Sequence, residues 1–178
     1  MRSSLRVATV FYSKTGRTRR AVELLSQTLR ERGVSVDSFA VSPAREYFSG
    51  FLHANPRILY ETLANVIVEI RGVENFDPTR YDSVVIATPI WWGRPPPPIT
   101  AFIVKYSNVI RARTYCITTA DLGVDYSSRL RGLLSKWGYD VVGCVSLRDP
   151  EAEVGKLGEL ANAIVSHTRP DVQGAVLS

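Results

Sequence analysis

Val7-Ala-Thr-Val-Phe-Tyr-Ser-Lys-Thr-Gly-Arg-Thr18 is a valine-rich apolar run that stops abruptly and becomes hydroxyl, glycine and hydroxyl. An apolar run of this length reads as a strand buried on both faces, and Ala21-Val-Glu-Leu-Leu25 after it begins a helical pattern. Ser13, Lys14, Thr15, Gly16, Arg17 and Thr18 therefore occupy a strand-to-helix turn. A helix N-terminus leaves backbone N–H groups unpaired and carries roughly half a positive charge, so hydroxyls from Ser13, Thr15 and Thr18 around Gly16 suit an anion. The turn reads as a phosphate cradle. The same residue types also serve as helix caps and turn formers, which need no ligand. Neither Gly-x-Gly-x-x-Gly nor Gly-x-x-x-x-Gly-Lys-Ser/Thr occurs. Arg17, Arg19 and Arg20 would steer an anion or form a solvated face.

A chain of 178 residues, 45% apolar and 22% charged, is the size of one domain with one sizeable core. Residues 1–170 read as that domain and 171–178 as a loose tail. No apolar run approaches the ~20 residues of a membrane span. Met-Arg-Ser-Ser leads into a strand with no small-residue cleavage site, so a cytoplasmic protein is expected. Cys116 and Cys144 lie in apolar runs and are expected as free thiols in the core. His53 and His167 have no ligand-spaced partners, which gives a metal site nothing to rest on. The formal charge of +5 and pI near 9.4 come from scattered basic residues without aromatic interleaving or a nucleic-acid motif, so nucleic acid is not the expected partner.

Along the chain, Val22, Leu25 and Leu29 share a helix face closed by Gly33, and Val34 to Val41 reads as the second strand, stopped by Ser42-Pro43. Residues 42–80 form an extended crossover with a helix near Pro56. Its apolar residues, Tyr47, Phe48, Phe51, Leu52 and Val66 among them, read as sheet cover, or as a lid or homo-oligomer contact. Tyr81 to Thr88 is a third strand, ended by Pro89. Pro89, Ile90, Trp91, Trp92 and Gly93 then place two tryptophans at a strand's carboxyl end, before four prolines and a helix with Ile99, Phe102, Ile103 and Tyr106 on one face. Large aromatics on a stiff turn suit recognition of a flat ring, or else plug the core. Ala112 to Thr119 is the fourth strand, followed by a loop with Thr119, Ala120, Asp121, Gly123 and Tyr126. Leu130, Leu133, Leu134 and Trp137 make the next helix stripe, with Trp137 in the core. Tyr139 to Ser146 is the fifth strand, and Val154, Leu157, Ala161 and Ile164 face one way on a final helix over 151–167.

Strands this continuously apolar, alternating with helices, require a parallel sheet covered on both faces. The expected fold is a three-layer α/β/α doubly wound domain with a five-stranded sheet in the order 2-1-3-4-5. Ligands of such sheets bind beyond the carboxyl ends of the strands, where the loops after strands one, three and four converge.

Ser13, Thr15, Gly16 and Thr18 match every position of the flavodoxin phosphate loop, Thr/Ser-x-Thr-Gly-x-Thr. Tyr81-Asp-Ser-Val-Val-Ile-Ala-Thr-Pro-Ile-Trp-Trp-Gly-Arg-Pro95 and Gly138-Tyr-Asp-Val-Val-Gly143 extend the likeness over nearly the whole chain. The sequence resembles the flavodoxin family and its NAD(P)H:quinone oxidoreductase relatives. The resemblance implies FMN, with its 5′-phosphate in the first loop. It implies that Pro89 to Gly93 borders the isoalloxazine ring, with Trp91 or Trp92 stacked on it. Thr119 to Gly123 would close the other side, with Tyr126 as a second flanking aromatic. Two functions follow from it: an NAD(P)H-dependent reductase of quinone-type acceptors, or a one-electron carrier to a protein partner. A flavin-free module for another phosphate compound or a protein is the third. Family carriers are acidic, whereas this basic chain favours an acidic redox partner or an anionic small-molecule acceptor.

Overall fold

The computed structural model describes residues 4–45, 56–64, 67–121 and 123–168. Five parallel strands, β1 (Arg6–Phe11), β2 (Ser35–Ala40), β5 (Ser83–Pro89), β6 (Arg113–Thr119) and β7 (Val141–Leu147), lie in the order β2-β1-β5-β6-β7. Counted within this sheet, that is the expected 2-1-3-4-5. Val7 to Phe11 pair with Ser83 to Ala87, and Ser83 to Pro89 pair with Arg113 to Thr119. These central strands are buried on both sides, as their unbroken apolar runs require.

Helices α1 (Arg17–Glu31) and α5 (Val154–Thr168) cover one face, where Leu25, Leu29, Leu157 and Ile164 meet Val7, Val85 and Ile117. Helices α3 (Pro97–Lys105) and α4 (Ser127–Lys136) cover the other, where Ile99, Phe102, Ile103 and Leu134 meet Val10 and Ile86. Burying such side chains stabilises the fold by about 1.5–3 kcal/mol each, which sets the rotation of every helix about its axis.

The 42–80 connection holds α2 (Pro56–Leu63), anchored by fully buried Ile58. Ser42-Pro43 does not simply stop the second strand: it forms β3 (Ser42–Pro43), antiparallel to β4 (Ile70–Arg71). Tyr47, Phe48, Phe51, Leu52, Val66 and the 171–178 tail lie outside the described residues.

Three expectations fail. Trp137 is 37% exposed, because α4 ends at Lys136 and the apolar stripe ends with it. Val154 opens α5 before the helix has turned onto the sheet and is 47% exposed. Cys116 and Cys144 form a disulfide rather than two thiols. Burial favoured thiols, but register decides the matter. The two residues are direct partners on β6 and β7, with Cα atoms 4.4 Å apart, within bonding range. Such a bond belongs to oxidising compartments or to the interior of hyperthermophiles.

The disulfide joins residues 28 apart, so Cys144→Ser should cost about 3 kcal/mol by relaxing the unfolded chain. A lower denaturant midpoint checks this. Thiol titration of the unfolded, unreduced protein should count zero.

Candidate functional site

The carboxyl ends of β1, β5 and β6 carry the three loops singled out in the sequence. In the first, Gly16 is the N-cap of α1 at φ 94°, a left-handed conformation that strains any other residue. No side chain caps the helix, and its first turn holds no acidic residue. Ser13 Oγ accepts the Gly16 N–H at 3.1 Å, which tightens the loop from inside. Thr15 is exposed, while Thr18 is buried on the sheet side of α1.

Thr15, Gly16, Arg17 and Arg20 open onto a cavity of about 730 Å³, shared with Asp121 and with Arg148, Asp149, Pro150 and Glu151 after β7. Arg17 is ion-paired to Asp121, and Arg20 Nε bonds Glu151 Oε1 at 2.8 Å. Arg19 leaves the group and lies over the Phe11 ring. The three arginines and three carboxylates of the lining cancel, so attraction for an anion rests on the uncapped amides of α1.

The second loop separates its tryptophans. Trp91 is 8% exposed and meets Tyr12 edge-on at 5.6 Å, so it plugs the core. Trp92 is half-buried at the tip of a two-residue turn. Trp91 N–H donates to Arg94 O at 2.8 Å, and Arg94 N–H returns to Trp91 O at 3.0 Å. Trp92 at φ 49° and Gly93 at φ 78° occupy the centre, the pattern of a type I′ turn. A tryptophan in this region stores roughly 1–2 kcal/mol of strain, and such outliers cluster at working sites.

The third loop is tied to the other two. Ile90 N–H donates to Thr119 O at 2.9 Å, and Ala120 N–H to Leu147 O at 3.1 Å. Thr18 Oγ1 and Thr119 Oγ1 share a buried hydrogen bond of 2.8 Å. Thr18, Thr119 and Ala120 thus position the loops from below rather than line the cavity. Tyr126 reaches the second loop, its ring 3.9 Å from where a Cβ on Gly93 would stand. Gly123 and Asp125 turn away into a smaller cavity of about 350 Å³ beside Cys144 on edge strand β7. Asp125 is held below the usual carboxylate range by the Ser127 hydroxyl and then by the Ser127 N–H.

The loop after β7 escaped the sequence reading, because Arg148-Asp-Pro-Glu151 resembles an ordinary helix lead-in. Its position at a strand's carboxyl end was the available signal. Glu153 organises it, accepting the N–H groups of Arg148 at 2.6 Å and Asp149 at 3.0 Å, with Lys156 alongside.

No sequence-family model and no curated protein sequence matches this chain. Solved structures do. A flavoprotein of Lactobacillus acidophilus in complex with FMN is similar at TM-score 0.68 and 20% identity, over 86% of this chain and 99% of that one. A flavodoxin of Streptococcus pneumoniae is similar at 0.60 and 15%, over 91% and 99%. A flavodoxin from the domain Archaea is similar at 0.63 and 8%, over 92% and 99%. The chain has the flavodoxin fold. Among the described residues no helix is long and apolar enough to cross a membrane.

Glu153 is pulled down to about 2, first by Lys156 and further by the Asp149 and Arg148 amides. A carboxyl depressed in the folded state stabilises it above the unfolded pKa, here 4.5, and loses that contribution as pH falls toward 2. The thermal midpoint of the protein should therefore fall more steeply than that of Glu153→Gln between pH 4.5 and 2.5. Parallel curves would mean that Glu153 does not hold the loop.

Proposed function

We propose that this flavodoxin-fold protein binds FMN and acts as an NAD(P)H-dependent reductase of quinone-type or other small acceptors. The observation that carries the FMN reading is the uncapped start of α1, opening through Thr15 and Gly16 onto a cavity large enough for a phosphate and its attachment. That geometry fits a phosphate ester: the α1 amides would hold it, and the Thr15 hydroxyl would donate to it. FMN, when bound, accepts and delivers hydride. Trp92, half-buried at a strained turn, would lie along the ring, with Trp91 behind it in the core.

The reductase reading is favoured over the carrier by what remains beside the ring. With Trp91 drawn into the core, the second loop offers one tryptophan rather than two, which leaves room for a nicotinamide. Exposed Arg94 and Arg129 flank the same turn and suit an anionic reductant. The carrier reading rests on Tyr126, whose approach to Gly93 would let it sandwich the ring opposite Trp92. An acidic protein would then be the partner.

Flavin released by heat from the purified protein should be FMN, and reconstitution should restore its absorbance. Thr15→Ala deletes a hydroxyl aimed at a charged oxygen, typically worth about 1.5–3 kcal/mol, so FMN affinity should fall roughly ten- to a hundredfold. Stopped-flow mixing with NADH or NADPH should bleach bound FMN within seconds. Absence of bleaching with tight FMN binding would leave the carrier.

A further inference from the structure

Arg129 belongs to none of the motifs above, yet it stands where the second and third loops meet. It lies in the first turn of α4, with Nη1 3.0 Å from where a Cβ on Gly93 would be. Its guanidinium carbon lies 5.6 Å from the centre of the Tyr126 ring. The cation thus stands beside both loops. Arg17 and Arg20 are paired to carboxylates, whereas among the described residues no carboxylate pairs with Arg129. Asp125, the nearest acid along the chain, is turned to the Ser127 amide at 2.8 Å and lines the cavity beside β7. A cation in the first turn of a helix opposes the helix dipole, so α4 gains nothing from it.

We propose that the charge of Arg129 sets the redox preference of the ring site, favouring the ring after two-electron reduction. The inference rests on the FMN reading. A reduced nicotinamide hands over one hydride, which carries two electrons and one proton. The nicotinamide leaves as a cation, and the flavin ring retains the negative charge gained. A guanidinium fixed against Gly93 and Tyr126 lowers the energy of that anion and leaves the neutral oxidised ring nearly unaffected. The same charge attracts the anionic reductant. Tyr126 steadies the cation, whose guanidinium carbon lies within cation–π range of its ring.

The test compares the FMN-loaded protein with Arg129→Gln and Arg129→Lys by anaerobic equilibration with a reference dye, alongside titration of oxidised FMN. In Arg129→Gln the affinity for reduced FMN should fall about tenfold relative to oxidised FMN, a drop of roughly 30 mV in the two-electron midpoint at 29.6 mV per tenfold. Arg129→Lys should recover part of it, and the difference should shrink in high salt. Equal midpoints in all three proteins would overturn the inference. So would an equal loss of affinity for both redox forms, which would make Arg129 an ordinary binding contact. A parent protein that takes up no FMN would overturn the FMN reading itself, a result separable from either.

Discussion

Helix α1 begins at a glycine in the left-handed conformation with no side chain over its first turn, and the loops around the site are arranged about that unmet demand. Four N–H groups of any helix start lack intrahelical partners, and burying them unpaired would cost free energy. Here the demand falls at the carboxyl edge of the sheet. The rotation of α1 is fixed by Thr18, Ala21, Val22, Leu25 and Leu29, all buried against the sheet. Thr18 must therefore face inward, where it meets Thr119, while Thr15 and Arg17 face the cavity. Core packing thus decides which hydroxyl of the motif is structural and which is available to a ligand.

The second loop divides its tryptophans by the same logic. Just past the strand end at Pro89, Trp91 is buried edge to face on Tyr12, a pairing worth about 0.5–1.5 kcal/mol beyond its buried area. Trp92 follows at the centre of the turn, half-buried and packed against the edge of the same core cluster. Both centres of this two-residue turn take positive φ, which strains Trp92 and which Gly93 adopts without cost. Core burial on one side and the closing pair between Trp91 and Arg94 on the other hold the strain in place.

Sheet order, the five strands and the main helices were legible because hydrophobic periodicity is a local property that tertiary packing seldom contradicts. The strand-to-helix turn at Ser13 to Thr18 was legible because its glycine is demanded by backbone geometry. Partnership was not. Nothing local shows that Arg17 will find Asp121, or that the loop after β7 will complete the cavity, because the first depends on how α1 meets the loop after β6 and the second on how α1 and α5 lie side by side. Helix ends misled twice, at Trp137 and Val154, where a stripe continued in sequence beyond the point at which the helix met the sheet. The cysteines misled because burial is readable from a run of apolar residues, whereas register between two strands is not.

That register matters to the site as well as to the core. β7 is an edge strand, and unpaired edge groups invite other chains. Arg131 donates to Val142 O at 3.2 Å and Lys156 to Ser146 O at 3.2 Å, so two cations cover outward carbonyls along it. The disulfide clamps the middle of the same strand to β6. Ser146 Oγ in turn accepts the Tyr126 N–H at 3.4 Å, and Leu147 O accepts the Ala120 N–H. Among the described residues of the third loop, Val124 is half exposed and Tyr126 only partly buried. Its position is therefore inherited from β7. A strand free to fray would carry Tyr126 with it, and Arg129 would lose the ring it stacks on; the covalent tie at Cys144 lies two residues from the serine that holds Tyr126, where such fraying would begin.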